Sequence, residues 1–265
     1  SAASDVYKRQ DESFTQSSLE FYQGPLAVPF DEGDVCLNYD EDALVANNMT
    51  VPTSLWNLTE PEWNGKITFP SPMTSSPGRA FLAATVDYFG HEPGNSSGDM
   101  ASWWTAMAQN GAIFTSGWSE SYVTYYTGGY GEYMEGYIGG AYLTVSYCHS
   151  PGVEAYYAEN YTHSTSLVLP RASFHQVEYT GIVNGAAEVE AANQFIEFIT
   201  SMEVNVNMPD YNSMYSVQNG TDLPETNGYR FHADQAIVSN AITQERIEQD
   251  MENWLTTWQN AVQMG

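Results

Sequence analysis

The chain has 265 residues, enough for one large α/β domain or two smaller lobes with an ample core. It carries 33 acidic against 7 basic residues, a formal net charge of −26, and such a field repels phosphate backbones and anionic head groups. Nucleic acid and membrane surfaces are thereby disfavoured as partners, a cationic ligand is favoured, and no run of 18 apolar residues is present to span a bilayer.

The first ten residues, SAASDVYKRQ, hold two of the seven basic residues and read as a non-native leader, so fold reasoning begins at residue 11. DVCLNYD (34–40) reads as a strand and TSLWNLT (53–59) as a short helix opened by Thr53 or Ser54. KITFPS (66–71) is strand-like. It runs into TSSPG, where Ser75 or Ser76 can cap and Pro77 can take the first helical position, predicting a helix from about residue 77 that Gly90 ends.

DMASWWTAMAQNG (99–111) predicts a second helix with a terminal glycine, AIFTS (112–116) a strand, and WSESYVTYYTGG a return to helix. TGGYGEYMEGYIGG lacks both the G-K-[ST] ending and the G-x-G-x-x-G spacing of phosphate loops and reads as an irregular hairpin. AYLTVSY (141–147) is a strand, and CHSPGVEAYYAEN is a loop with Ser150 as cap and Pro151 opening a helix. SLVL and HQVEYTGIVN follow as strands. AAEVEAANQFIEFITS (186–201) predicts an amphipathic helix with Val189, Ala192, Phe195, Ile196 and Ile199 on one side; TQERIEQDMENWLTTWQNAV (243–262) predicts the longest helix, with Ile247, Met251, Trp254, Leu255 and Trp258 as its buried stripe. The alternation implies an α/β fold around a mostly parallel sheet.

Three times a strand leads to a turn bearing Ser at a helix start: TSSPG, GWSES and YCHSPG. Helix N-termini offer unpaired N–H groups and partial positive charge, so turns opening on one sheet edge can hold a hydroxyl, carboxylate or phosphate. Each serine is equally readable as a plain cap, and Trp118 as a capping aromatic. Trp118 and Tyr147 beside such turns suit a ligand with a cationic ring and a polar tail, since an aromatic face attracts a cation by about 0.5–2 kcal/mol.

GWSES also approaches the G-x-S-x-G elbow, with Ser119 as nucleophile and His232 with Asp210 or Asp222 as partners, but the last glycine is Ser121. The five histidines show no i, i+4 pair, so neither a metal centre nor a cofactor is expected. Cys36 and Cys148 allow at most one bridge. Five N-x-[ST] sites, at Asn48, Asn57, Asn95, Asn160 and Asn219, hint at an extracytoplasmic surface.

VPFDEG (28–33), TSSPG, GWSESY, VSYCHSP and NSMYSV (212–217) followed by DLP together resemble the periplasmic thiamine-binding proteins of ABC importers, from about residue 25 to the final helix. The resemblance implies a two-lobed, type II periplasmic-binding-protein-like fold whose first half-lobe is missing. Residues 11–52 and 165–240 would be the remnant of lobe one with crossing strands, and 53–164 and 241–265 lobe two. It implies no enzyme but a ligand-binding set of Ser75, Ser76, Trp118, Ser119, Tyr147, Ser150, Tyr156 and Tyr215. Ser75 would meet the ligand's hydroxyethyl or phosphate end, and Trp118 and Tyr147 would pack on its rings. It further implies an ABC permease as partner and a periplasmic or extracellular location, with a lipid anchor on the absent N-terminus as one option.

The chain departs from the family pattern at Val153, where Tyr is expected and Tyr156 lies one turn on, and at Ser213, where Trp is expected. These departures and the missing half-lobe predict weak binding by this chain alone. Within the same fold, ferric iron held by Tyr156 and Tyr157 is the alternative ligand.

Overall fold

The computed structural model describes residues 14, 18, 27–91, 100–158, 162–221 and 242–265. The chain divides into two compact units, residues 1–33 with 176–224 and residues 34–175 with 225–265, and among the described residues it passes from one to the other inside two strands. These are β1 (Val28–Asp40) and β6 (Phe174–Thr180), which pair with each other.

The larger unit is built on the sheet order β3-β2-β4-β1-β5. Strands β2 (Ile67–Pro70), β3 (Ile113–Thr115) and β4 (Leu143–Tyr147) run parallel, with Thr68 opposite both Ile113 and Thr144. The expected mostly parallel sheet needs correction at β1, which enters antiparallel between β4 and β5 (Ser164–Leu167), setting Val35 opposite Tyr147 and Leu37 opposite Leu167. Strand direction here is set by the pairing of β1 with β4 and β5, over a hundred residues away, which no local residue pattern carries.

Each parallel strand feeds a helix, as sequence punctuation predicts. β2 leads to α2 (Ser76–His91), β3 to a helical turn from Trp118, and β4 to α4 (Ser150–Tyr157). Between β1 and β2 lies α1 (Glu41–Ala46), capped by Asp40, and α3 (Met100–Gln109) precedes β3. Gly90 does not end α2, because the helix runs on to His91.

The core is aromatic. Phe69 of β2 contacts Phe81 of α2, Trp103 and Trp104 of α3, and Phe114 of β3 at ring separations of 5.0–6.0 Å, mostly edge-on or stacked. The C-terminal helix α8 (Gln244–Met264) lies across α3 and α2 and buries Trp254, Leu255 and Trp258 of the predicted stripe together with Ala261, while Ile247 and Met251, expected in the stripe, are only partly buried against the core. Rings of this size each bury about 150–250 Å², so this cluster dominates the unit's stability. Cys36 and Cys148 form a disulfide, Cα atoms 5.3 Å apart, that staples β1 to the turn after β4.

The smaller unit holds the start of β1, most of β6, and α5 (Val189–Ile199), α6 (Met202–Asn205) and α7 (Met208–Asn212). Its described core is small: Phe14, Val28, Ile196 and Val217, with Ile182 beside them. Among the described residues Ile196 of α5 is buried, while Phe195 on the same face and Phe198 beside it are 59% and 60% exposed. Polar groups carry the order instead. Asn205 is fully buried, donates to the carbonyls of Phe30 and Ile199, and accepts from the Ser216 hydroxyl and the Val217 N–H.

Candidate functional site

Because β2, β3 and β4 are parallel, their C-terminal ends at Pro70, Thr115 and Tyr147 lie on one edge of the sheet in the larger unit. Ligands of open α/β sheets sit beyond this edge. The three Ser-bearing turns stand there and are tied to one another. The Ser71 N–H donates to the Thr115 carbonyl at 3.0 Å, and the Thr74 hydroxyl donates to the Ser116 carbonyl at 2.6 Å, joining the first turn to the second. The Trp118 indole N–H donates to Ser146 Oγ at 2.8 Å, and Ser146 Oγ shares a 2.8 Å hydrogen bond with Ser150 Oγ, joining the second to the third.

Ser75 is buried and caps α2, accepting the Gly78 N–H at 3.4 Å, while Ser76 is exposed on the helix's first turn. Trp118 is half-buried and stacks on Tyr122 with ring centroids 5.1 Å apart and planes 16° from parallel. Tyr147 is half-buried and stacks on His149 at 5.2 Å. Tyr156 is half-buried on α4, its ring at 88° to that of Tyr157, which is 73% exposed. Tyr215 belongs to the smaller unit, where its backbone pairs with Glu32.

Ser119 is exposed with φ −59° and ψ −43°, ordinary helical values, and lacks the strained turn that a nucleophile elbow requires. Its proposed partners His232 and Asp222 lie outside the described residues, and Asp210 is exposed on α7 of the smaller unit. Among the described residues no group of three or more His, Cys, Asp or Glu is arranged to hold a metal ion.

The helical turn that carries Trp118 is itself unusual. From Glu120 to Tyr125 it is a π-helix, its wider turn shown by the Tyr126 N–H reaching back to the Ser121 carbonyl. Residues four apart then lie nearly above one another, and Trp118, Tyr122 and Tyr126 form a column with successive centroids at 5.1 and 5.3 Å. Tyr122 and Tyr126 are fully buried, and burial pushes both phenols well above the usual tyrosine range. The Tyr122 hydroxyl donates to Glu154 Oε1 at 2.9 Å; burial raises the Glu154 carboxyl, against the Tyr122 hydrogen bond that lowers it. Sequence reasoning missed Tyr122, Ser146 and Glu154. The i, i+4 spacing of Trp118, Tyr122 and Tyr126 was the available signal.

Residues 10–212 match the family described as bacterial extracellular solute-binding protein. The chain belongs to that family. It is 27% identical over 237 residues to the thiamine-binding periplasmic protein of Escherichia coli K12, a match covering 89% of this chain and 64% of the relative, so it spans a little under two thirds of that relative's length. Its fold is that of the type II periplasmic binding proteins. A solved periplasmic thiamin binding protein superposes with a TM-score of 0.70 at 23% identity, over 98% of this chain and 76% of that one. Iron-bound HitA from Pseudomonas aeruginosa superposes at 0.62 and 13% identity, over 98% and 80%. No helix among the described residues is long and apolar enough to cross a membrane.

Proposed function

We propose that this chain is the ligand-binding part of an extracytoplasmic component of an ABC importer, taking thiamine, a thiamine phosphate or a related cationic heterocycle. It works with a membrane permease and performs no catalysis. The observation that carries the reading is the chain of hydrogen bonds Trp118–Ser146–Ser150, which holds an indole at the sheet's C-terminal edge beside two helix starts. A ring fixed in that place is a stacking wall for a cationic heterocycle, and the net charge of −26 favours a cation's approach. The helix starts at Ser75 and Ser150 put backbone donors within the same edge for a hydroxyl or phosphate tail.

The relatives named for thiamine support this class of ligand over ferric iron. The steep ring angle and exposure of Tyr157 also make Tyr156 and Tyr157 a poor pair for one metal ion. The test is titration of the chain with thiamine, its monophosphate and its diphosphate, followed by tryptophan fluorescence. Quenching that saturates in the micromolar range is expected, and Trp118→Ala should weaken it at least about tenfold, the value of one aromatic–cation contact. No quenching by any of the three, or unchanged affinity in Trp118→Ala, would sink the assignment.

A further inference from the structure

Trp118 is held at two points, and both lead to α4. Its N–H is bound by Ser146, which is bonded to Ser150 in the first turn of α4. Its ring face lies on Tyr122, whose hydroxyl donates to Glu154, one turn further along the same helix. The contacts therefore close a ring: indole, phenol, carboxylate, helix, two serine hydroxyls, and back to the indole. Neither point alone fixes a tryptophan, since the N–H bond leaves the plane free to swing and a stack leaves it free to slide. Together they fix both.

The glycine-rich stretch after the π-turn closes over this arrangement. A Cβ at Gly129 would meet the ring of Tyr122, and one at Gly131 would meet the Val123 carbonyl, so TGGYG is bare where it covers the column. Its Tyr130 ring lies 6.1 Å from that of Tyr122. The glycines that match no phosphate loop thus have a packing role.

We propose that Glu154, acting through Tyr122, is a positioning residue that sets the plane of the Trp118 indole and with it the affinity and ring preference of the site. The inference rests on Trp118 being the ligand wall. Glu154 touches the wall's support and not the ligand.

The experiment uses the whole chain labelled with 5-fluorotryptophan, the Trp118 resonance being assigned by its loss in Trp118→Phe, and thiamine as probe. Glu154→Ala and Tyr122→Phe should each shift or broaden the Trp118 resonance and weaken thiamine binding about tenfold, and the double variant should be no worse than the poorer single, because both break one connection. Glu154→Gln keeps an oxygen for the Tyr122 hydroxyl and should stay within about threefold of the parent. A Trp118 resonance unmoved in both single variants, or losses that simply add, overturns the proposal. Should Glu154→Ala fail to fold, Tyr122→Phe, which keeps the ring, and Glu154→Gln still decide it. If the parent does not bind thiamine, the functional reading fails, and the fluorine resonance continues to report on the brace.

Discussion

At the scale of single residues, the most consequential group in the smaller unit is Asp31, in the VPFDEG stretch of β1. It is fully buried, its Oδ2 accepts from Asn212 Nδ2 at 2.6 Å, and its Oδ1 has no hydrogen-bond partner among the described residues. Burial first, then the neighbouring charge of Glu178, lifts its carboxyl to about 7. A carboxyl raised on folding contributes stability that is fully present below the unfolded value near 4 and is lost as pH rises through about 7. At about 1.36 kcal/mol per unit, a ceiling of about 4 kcal/mol separates pH 4 from pH 8 for this one group. Asp31→Asn removes the titration, so thermal melts by circular dichroism should show the variant gaining on the parent between pH 5 and pH 8. An unchanged difference between the two across that range would refute the assignment. Sequence alone placed Asp31 in a recognisable motif, but its burial depends on Asn212, 181 residues away, and was not legible there.

At the scale of elements, the strand–turn–helix punctuation was legible because it is local. Ser75 with Pro77 marks a helix start by its own chemistry, and α2 begins directly after that cap; at α4 the expected cap Ser150 is instead the first helical residue, with His149 in the N-cap position, because the Ser150 hydroxyl is engaged by Ser146. What joins the turns was not legible, since the Trp118–Ser146 and Thr74–Ser116 bonds each span many residues and need the sheet to exist first. The π-turn was read only as helix, because a widened turn leaves the same apolar residues four apart. The two glycines of α2 show how an element's position is set. A Cβ at Gly78 would meet the Pro70 carbonyl and lie 2.9 Å from the Ser71 carbonyl, so the helix start sits directly on the end of β2; Gly90 has open space around it. Gly78→Ala should therefore destabilise the larger unit by about 1–3 kcal/mol by overpacking, displacing the Ser75 cap with it. Gly90→Ala should instead stabilise by up to about 1 kcal/mol, as alanine does in an open helical position. Urea denaturation followed by tryptophan fluorescence checks both, and two variants of the same sign would contradict the close approach at Gly78.

At the scale of the whole molecule, the tryptophans and the disulfide fall on the same side of the division. Trp56, Trp63, Trp103, Trp104, Trp118, Trp254 and Trp258 all belong to the larger unit, so indole fluorescence reports that unit alone. The Cys36–Cys148 bridge lies within it and closes a separation of 112 residues, linking β1 to the turn that opens α4. Long closed loops restrict the unfolded chain most, and a loop of this length is worth up to about 4–5 kcal/mol in the chain-entropy account. Native protein should resist thiol alkylation at both cysteines, since both side chains are fully buried and joined. Reduction under denaturing conditions, followed by alkylation and refolding, should lower the midpoint of the fluorescence-detected transition well below that of the oxidised chain. It should also loosen Trp118, because Cys148 lies in the turn between Ser146 and Ser150 that anchors the indole. Thiamine quenching in the reduced chain should then weaken alongside the loss of stability. Full alkylation of the native chain, or a transition unmoved by reduction, would show that the bridge does not form and that the sheet edge is held by packing and hydrogen bonds alone.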